Sequence, residues 1–463
     1  MYPDLEHLND PITMDNVGKS AMIFLRMVPP CFVSGFSSLG KNVLNTIGFV
    51  ACNRAGDPLL TSTLSMTIFF NALTMTSLNY ASTEKAGIAL SQAYGAKDYA
   101  RYKKYFTQAL LLGVSYWSLL GIPFMLFMKN ILITIHIIPQ LAESIQNFYW
   151  KLAMTEILRL TSSMFMVAAN SQGIETKFFW LIISNTVISA SFMCFLCFYL
   201  NMTLDALIYA SIMFHSINML IFMRIYLREC HPKTIGLAPL TTALPGLPSY
   251  TKDWLKIFVG IWFEWLSWES TSYFVALTDD IHQVSAFGSL VNLAYVFHNF
   301  QVGLEYGARS RMNYLLATGS VDAAKRCFYV MFVGIVCLNI PIGAILFVCR
   351  EYIADIYAGN IEQTRAYFLQ IMVVYCIAMS SDIIHGLLSL AARTIDHVDF
   401  SIAMNITFML GVMGVTHYII VNVLHLTVIW LTVNMYVTFT LVYGLLFLKF
   451  SLYDWHKAPI LSD

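Results

Sequence analysis

Two glutamates and two tryptophans, Glu264, Trp265, Trp268 and Glu269, occur within six residues of an apolar stretch. Such a stretch is expected to cross a membrane, where an ionisable side chain is costly and therefore indicates function. In an apolar setting, the protonated and ionised forms of a carboxyl group become comparable in free energy near neutral pH. The pattern therefore indicates a functional site within the membrane.

The two glutamates cannot share one narrow helix face, because five positions correspond to about 140° of rotation. We assign Glu264 to the proton site, and Glu269 to lining a cavity or bracing a neighbouring helix. Trp265, Trp268 and Tyr273 could hold an organic cation by cation–π contact, worth about 0.5–2 kcal/mol. Ordinary packing is the alternative for these aromatic side chains.

The composition places these residues in a polytopic helical membrane protein. The chain is 58% hydrophobic and 12% charged, whereas a soluble domain carries about 25% charged residues. A net charge of zero argues against a nucleic-acid partner. Cys194 and Cys197 form a CxxC within an apolar stretch, and we interpret them as packing residues, so no metal or cofactor is predicted.

Apolar stretches of about 20 residues predict twelve transmembrane helices. The predicted spans cover residues 22–53, 57–80, 105–128, 143–168, 177–199, 204–227, 254–277, 283–306, 326–348, 364–390, 398–421 and 424–448.

Basic residues are concentrated in alternate loops, which predicts that both termini are cytoplasmic. Residues 231–250 hold four of the thirteen prolines and divide six spans from six. We therefore expect two pseudo-symmetric six-helix bundles joined by a linker. The expected boundaries are 1–21 for the cytoplasmic N-terminus, 22–230 for the first bundle, 231–252 for the linker, 253–448 for the second bundle and 449–463 for the cytoplasmic tail.

A short internal similarity supports the two halves. Residues 95–104 and 317–326 each begin with small residues and end with a basic pair, at an offset of 222. Because each half has an even number of spans, the repeat would be parallel, with its axis along the membrane normal.

Several motifs resemble the multidrug and toxic compound extrusion (MATE) family, in its eukaryotic branch. Residues 91–96 read SQAYGA, where the family has GQAYGA after span 2. The span 7 stretch with Glu264 and Glu269 is similar to the family pattern LEWWSFE. Arg311 and Gly319 fall in register with the pattern after span 8, and Asp382 fits the family aspartate of span 10.

The resemblance implies a MATE/MOP-type fold and a secondary antiporter that exports organic cations, xenobiotics or secondary metabolites. It implies coupling to protons moving inward through Glu264 and Asp382, with His385 three positions further on as a relay; sodium remains an alternative ion. Gln92, Gly95, Arg311 and Gly319 are expected to be structural. We expect a monomer in the lipid bilayer of the plasma membrane or a vacuolar membrane.

The first half carries other charges at membrane depth. We expect Glu156 to form a structural pair with Lys41 or with Arg159, in preference to a substrate role. Glu84 and Lys85, near the end of span 2, are expected to face cytoplasmic water.

Two rival functions remain at this point. A lipid-linked or polysaccharide flippase would need a strongly cationic cavity. An intramembrane enzyme would need a nucleophile with its base or a metal-binding set, and the sequence contains neither HExxH nor GxSxG. We therefore do not expect an enzyme.

Overall fold

The computed structural model describes residues 40, 42–52, 58–134, 139–278, 280–358, 362–395 and 397–457, and within these ranges it contains helices and no strand. In these ranges twelve main helices follow one another: α1 Asn42–Cys52, α2 58–95, α3 Tyr99–Thr134, α4 Pro139–Asn170, α5 Phe179–Tyr199, α6 Leu204–Glu229, α7 Leu247–Ala276, α8 Ile281–Ala317, α9 Val321–Val348, α10 Glu362–Thr394, α11 Asp399–Asn422 and α12 Val428–Leu452.

Each predicted span corresponds to one of these helices, which confirms the all-helical membrane fold. Among the described helices, seven are long and apolar enough to cross a membrane: α3, α4, α5, α6, α9, α11 and α12. Helices α2 and α8 extend well beyond their predicted ends, to Gly95 and Ala317. The extensions carry polar residues, Gln92 on α2 and Arg309, Arg311 and Asn313 on α8, so the continuous apolar stretch ends before the helix does. The predicted first span is described only from residue 42 onward.

Helix α2 contains a π-helical segment, Ala72–Thr76, between its two α-helical parts. Such segments add a residue to one turn and occur frequently at functional sites. Here the segment brings Asn71 within reach of Thr76, whose Oγ1 accepts a hydrogen bond from Asn71 Nδ2 at 3.2 Å. Both side chains line a polar cavity.

The buried apolar residues form clusters that follow the two halves of the chain. The largest cluster contains residues only from Val275 to Trp455. The remaining clusters are built from α1–α6 and from the first turns of α7, including Trp254 and Ile261. Helix α7 therefore contributes to the cores of both halves.

The internal similarity recurs in the backbone at the same offset. The turn between α2 and α3 has Lys97 at φ 59°, and the turn between α8 and α9 has Gly319 at φ 78°. The following residues, Asp98 and Ser320, are the N-caps of α3 and α9. Four backbone hydrogen bonds around each turn correspond one to one. The two turns therefore have the same backbone structure.

The proline-rich segment between the halves packs on the first half. Gln108 Nε2 on α3 donates to the Ala243 carbonyl at 2.7 Å, and Thr107 Oγ1 accepts from the Ala238 amide at 2.8 Å. The hydroxyl of Tyr226 on α6 donates to the Thr234 carbonyl at 2.9 Å. These bonds hold the segment against α3 and α6.

Candidate functional site

A polar cavity lies between the two halves of the molecule. Helices α1, α2, α4 and α6 contribute most of its wall, and α7 and α8 contribute Trp265 and Tyr295. Its volume is about 80 Å³. Most of its described lining consists of amides and hydroxyls: Asn42, Asn45, Asn71, Asn79, Asn218, Thr76, Thr83, Ser162, Ser163, Tyr80 and Tyr295. A cavity with convergent polar groups at an interface is the expected form of a small-molecule site.

Three aromatic rings join the two halves at the cavity wall. Trp265 on α7 stacks on Tyr80 of α2, with ring centroids 5.7 Å apart, and on Tyr295 of α8, at 5.8 Å. Trp265 therefore both lines the cavity and packs between neighbouring rings. A cation above Tyr80 is already supplied by the protein, because the Arg159 guanidinium carbon lies 5.6 Å from that ring centroid.

The first half holds a buried ion pair beside the cavity. Arg159 Nη1 lies 3.1 Å from Glu156 Oε2, so the local i, i+3 pair is the one observed, while Lys41 lies outside the described residues. Glu156 is fully buried and also accepts hydrogen bonds from Asn71 Nδ2 at 3.1 Å and Asn79 Nδ2 at 2.8 Å. Charge-assisted bonds of this kind are stronger than neutral ones, so the network fixes the position of Arg159.

In the second half, the Tyr295 hydroxyl connects a buried acid to the cavity. It donates a hydrogen bond to Glu269 Oε1 at 2.5 Å, and Glu269 is only 5% exposed. This bond braces α7 against α8. Glu264, one turn earlier on α7, is half-buried and is not among the lining residues that the structure describes.

Four other residues expected at the site are placed as follows. Trp268 lies on α7, and Asp382 and His385 lie on α10, but their side chains are outside the described part of the structure. Tyr273 is 62% exposed and does not line the cavity, so we leave it out of the proposed site.

Glu84 does not face water as expected. Its Oε1 accepts a hydrogen bond from Arg309 Nη1 at 2.7 Å, and both side chains are buried. The sequence could not show this pairing, because it depends on the approach of α8 to α2. Lys85 is mostly shielded too and pairs with Asp253 of α7 at 2.7 Å. Ion pairs therefore join the two halves at this end of the molecule.

The structural motif residues lie at the same end. Gln92 Nε2 donates to Asn313 Oδ1 at 3.3 Å, and Gly95 packs so closely on α8 that an added Cβ would lie 2.9 Å from the Cβ of Ala317. Arg311 is buried and donates to the Gly307 carbonyl within α8. Gly319 adopts the left-handed conformation that ends α8, which favours glycine.

Sequence reasoning missed the contact of Glu305 with α10. A Cβ added at Gly386 would lie 1.5 Å from Glu305 Oε1, so the carboxylate occupies the space beside that glycine. It also missed the pairing of Asn71 and Asn79 with Glu156. The sequence held one signal for this pairing: two amide side chains on one helix, α2, and an acid within the apolar stretch of α4.

Comparison with known proteins gives a family match within the second half and a known fold for nearly the whole chain. Residues 257–419 match the MatE family model. No curated protein matches the sequence.

Three solved structures are similar over nearly the whole chain. The eukaryotic MATE transporter AtDTX14 is 17% identical, covers 94% of this chain and 98% of its own, and has a TM-score of 0.80. A MOP superfamily transporter from Pyrococcus furiosus, described as having a binding pocket of reverse polarity, is 11% identical over 97% of each chain, with a TM-score of 0.80. A mutant of the Vibrio cholerae MATE transporter VcmN is 10% identical over 96% of this chain and 100% of its own, at 0.79.

At these identities the solved structures establish the fold, and the family match adds a MatE domain in the second half. Residues 257–419 therefore match the MatE family model, and nearly the whole chain has the fold of the solved MATE transporters.

Proposed function

We propose that the protein is a proton-coupled antiporter that exports small organic solutes by alternating access. One observation carries the proposal: Tyr295 lines the cavity between the halves and donates its hydroxyl hydrogen to the buried carboxyl group of Glu269. A solute in the cavity and a proton on Glu269 therefore act on the same side chain.

The chemistry of this link follows from hydrogen-bonding roles. An ionised Glu269 only accepts, and Tyr295 supplies the hydrogen. A protonated Glu269 can itself donate, so Tyr295 is then able to turn its hydrogen towards the cavity. Proton binding thereby changes what the cavity wall offers to a solute, and ligands shift a conformational equilibrium only through such differences between states.

The other residues of our proposed proton route are assigned from the sequence resemblance. Glu264, Asp382 and His385 remain members of the route, with Glu264 five residues before Glu269 on α7. Sodium is the alternative coupling ion, because carboxylate and carbonyl oxygens can also bind a hard cation.

For the conformational step, we propose that residues 22–230 and 253–448 rock as two bundles about the cavity, joined by residues 231–252. The termini, 1–21 and 449–463, would both be cytoplasmic. We propose that the protein works as a monomer in the plasma membrane or a vacuolar membrane. The separate apolar cores of the two halves and the repeated turns support this division.

The sequence resemblance suggests organic cations, xenobiotics or secondary metabolites as cargo. The flippase alternative is weaker, because Arg159 is the only Lys or Arg among the described lining residues. A phosphate-bearing lipid would call for a cluster of such groups.

The test uses proteoliposomes with an acidic interior and two radiolabelled probes, tetraethylammonium and p-aminohippurate. In an antiporter, protons leaving the liposome drive uptake of the probe. We expect the wild type to accumulate at least one probe, and Glu269→Gln to lose at least about 90% of this uptake, since it holds no titratable proton.

Glu143→Gln is the matched control, because Glu143 forms an exposed ion pair with Lys129 and neither residue lines the cavity. It should transport like the wild type. Accumulation of neither probe by the wild type would contradict antiport of small organic ions. Undiminished gradient-driven uptake by Glu269→Gln would contradict the coupling role. The same assay with a sodium gradient distinguishes the two ions.

A further inference from the structure

The charge that faces the cavity is positive. Arg159 is the only Lys, Arg, Asp or Glu among the lining residues that the structure describes. Its side chain is 14% exposed, whereas that of its partner Glu156 is 0% exposed. The carboxylate lies behind the guanidinium as seen from the cavity, so the nearer charge dominates the potential felt by a solute.

The guanidinium is held in place from several directions. Nη1 donates to Glu156 Oε2 at 3.1 Å and to Thr76 Oγ1 at 3.2 Å, and the guanidinium lies over the ring of Tyr80. A planar guanidinium fixed in this way is suited to a carboxylate, which it can meet with parallel N–H donors. Tyr80, in turn, already has a cation against its ring.

Two acceptor groups complete the site. Asn71 and Asn79 both line the cavity, and both are more than nine-tenths buried. Each donates its Nδ2 to Glu156, and each side-chain carbonyl oxygen has no hydrogen-bond partner within the described part of the chain. Buried acceptors are rarely left unsatisfied, so a ligand that brings N–H or O–H donors would bind favourably here.

We propose that this cavity selects organic anions that also carry N–H or O–H donors, with Arg159 as the specificity-determining residue. The anionic group meets Arg159, and the donors meet the side-chain oxygens of Asn71 and Asn79. Organic cations are disfavoured by the same guanidinium, which differs from the cargo expected from sequence resemblance. The inference rests on the proposed function in one respect: this cavity is taken to be the transport site.

The test is equilibrium binding to the purified protein, so that it does not depend on transport or coupling. The probes are radiolabelled p-aminohippurate, an anion with amide and amine hydrogens, and radiolabelled tetraethylammonium. We expect the wild type to bind p-aminohippurate at least about tenfold more tightly than the cation, as one charge-assisted hydrogen bond would provide.

The decisive variant is Glu156→Gln/Arg159→Gln. It removes both charges together, so neither is left buried without its partner, and it keeps amide groups in their places. We expect p-aminohippurate to bind about tenfold or more weakly, and the preference over tetraethylammonium to be lost. The control is Lys129→Gln/Glu143→Gln, which removes an exposed pair and should bind both probes like the wild type.

Three results would overturn the inference: no p-aminohippurate binding to the wild type, tighter binding of tetraethylammonium than of p-aminohippurate, or unchanged p-aminohippurate affinity in the double variant. These outcomes are separable from failure of the proposed function. A protein that binds the anion through Arg159 but moves neither probe would contradict antiport and leave the specificity intact. A protein that exports tetraethylammonium but not p-aminohippurate would support antiport and contradict the specificity for anions.

Discussion

At the scale of single residues, a carboxylate on α8 fills the space beside a glycine on α10. A Cβ at Gly386 would come within 1.5 Å of Glu305 Oε1. Gly386 directly follows His385, and Asp382 lies one turn earlier on the same helix. The missing side chain therefore allows an acid of α8 to reach the helix that carries two residues of the proposed proton route.

We predict that Gly386→Ala displaces Glu305 and damages the protein by overpacking, at a cost of about 1–3 kcal/mol. Thermal unfolding of the purified protein should show a lower midpoint, and gradient-driven uptake should fall. Gly444→Ala on α12 is the control, because nothing lies within 4 Å of the added Cβ there. Equal behaviour of the two variants would show that the close approach has no consequence.

At the scale of elements, α2 and α8 are joined by a buried ion pair and by tight packing. Glu84 and Arg309 form the pair, and a Cβ on Gly87 would lie 2.7 Å from the Arg309 guanidinium. Gln92 adds a hydrogen bond to Asn313 further along. An interface that joins the two halves at one end must separate if the cavity is to open there.

Glu84→Gln should favour that separation, because breaking a buried ion pair costs about 3–5 kcal/mol in the joined state. The readout is the rate at which a maleimide modifies Ser91→Cys, a buried position on α2, measured by mass spectrometry of its peptide. We expect the rate to rise at least about tenfold in the Glu84→Gln background. Glu143→Gln should leave it unchanged, and an unaltered rate in Glu84→Gln would show that the pair does not hold this end closed.

The start of α8 is fixed by Asp280, its N-cap. Oδ1 accepts from the His282 amide at 2.9 Å, and Oδ2 accepts from Gln283 Nε2 at 3.1 Å. Gln283 in turn accepts from the Val428 amide at the start of α12. Desolvation raises the pKa of Asp280, but hydrogen bonds from Gln283 and His282 lower it more, so the pKa lies below its usual value.

A lowered pKa gives a stabilisation that is fully present above the unfolded pKa, about 3.9, and is lost as pH falls through the folded value. We therefore predict that Asp280→Ala destabilises the protein by about 1 kcal/mol at neutral pH. The difference from the wild type should shrink below about pH 4. Thermal unfolding across this pH range checks it, and a difference that persists in acid would show that the carboxylate charge is not responsible.

At the scale of the whole molecule, the two halves share a design. The turns after α2 and α8 have left-handed residues 222 positions apart and matching hydrogen bonds. These turns were predictable, because small residues and basic pairs recur in the sequence. The positions of the described helices were also predictable from the apolar stretches, although only seven of these helices are long and apolar enough to cross a membrane.

Contacts between distant helices were not predictable in the same way. The Glu156–Arg159 pair was one of two alternatives, because an i, i+3 spacing is local. The burial of Glu84 depends on α8, and the exposure of Tyr273 depends on which face of α7 meets its neighbours. Helical periodicity separated Glu264 from Glu269, but only the fold shows that Tyr295 joins Glu269 to the cavity.

In the proposed mechanism, solute movement and proton movement are linked through Glu269. The most direct measurement places a pH-sensitive dye inside proteoliposomes, with no imposed pH gradient, and adds p-aminohippurate and tetraethylammonium outside in separate runs. We expect at least one probe to make the interior of wild-type liposomes more alkaline, as protons leave in exchange, and Glu269→Gln to abolish this change. An equal pH change in Glu269→Gln, or probe uptake by the wild type without any pH change, would contradict it.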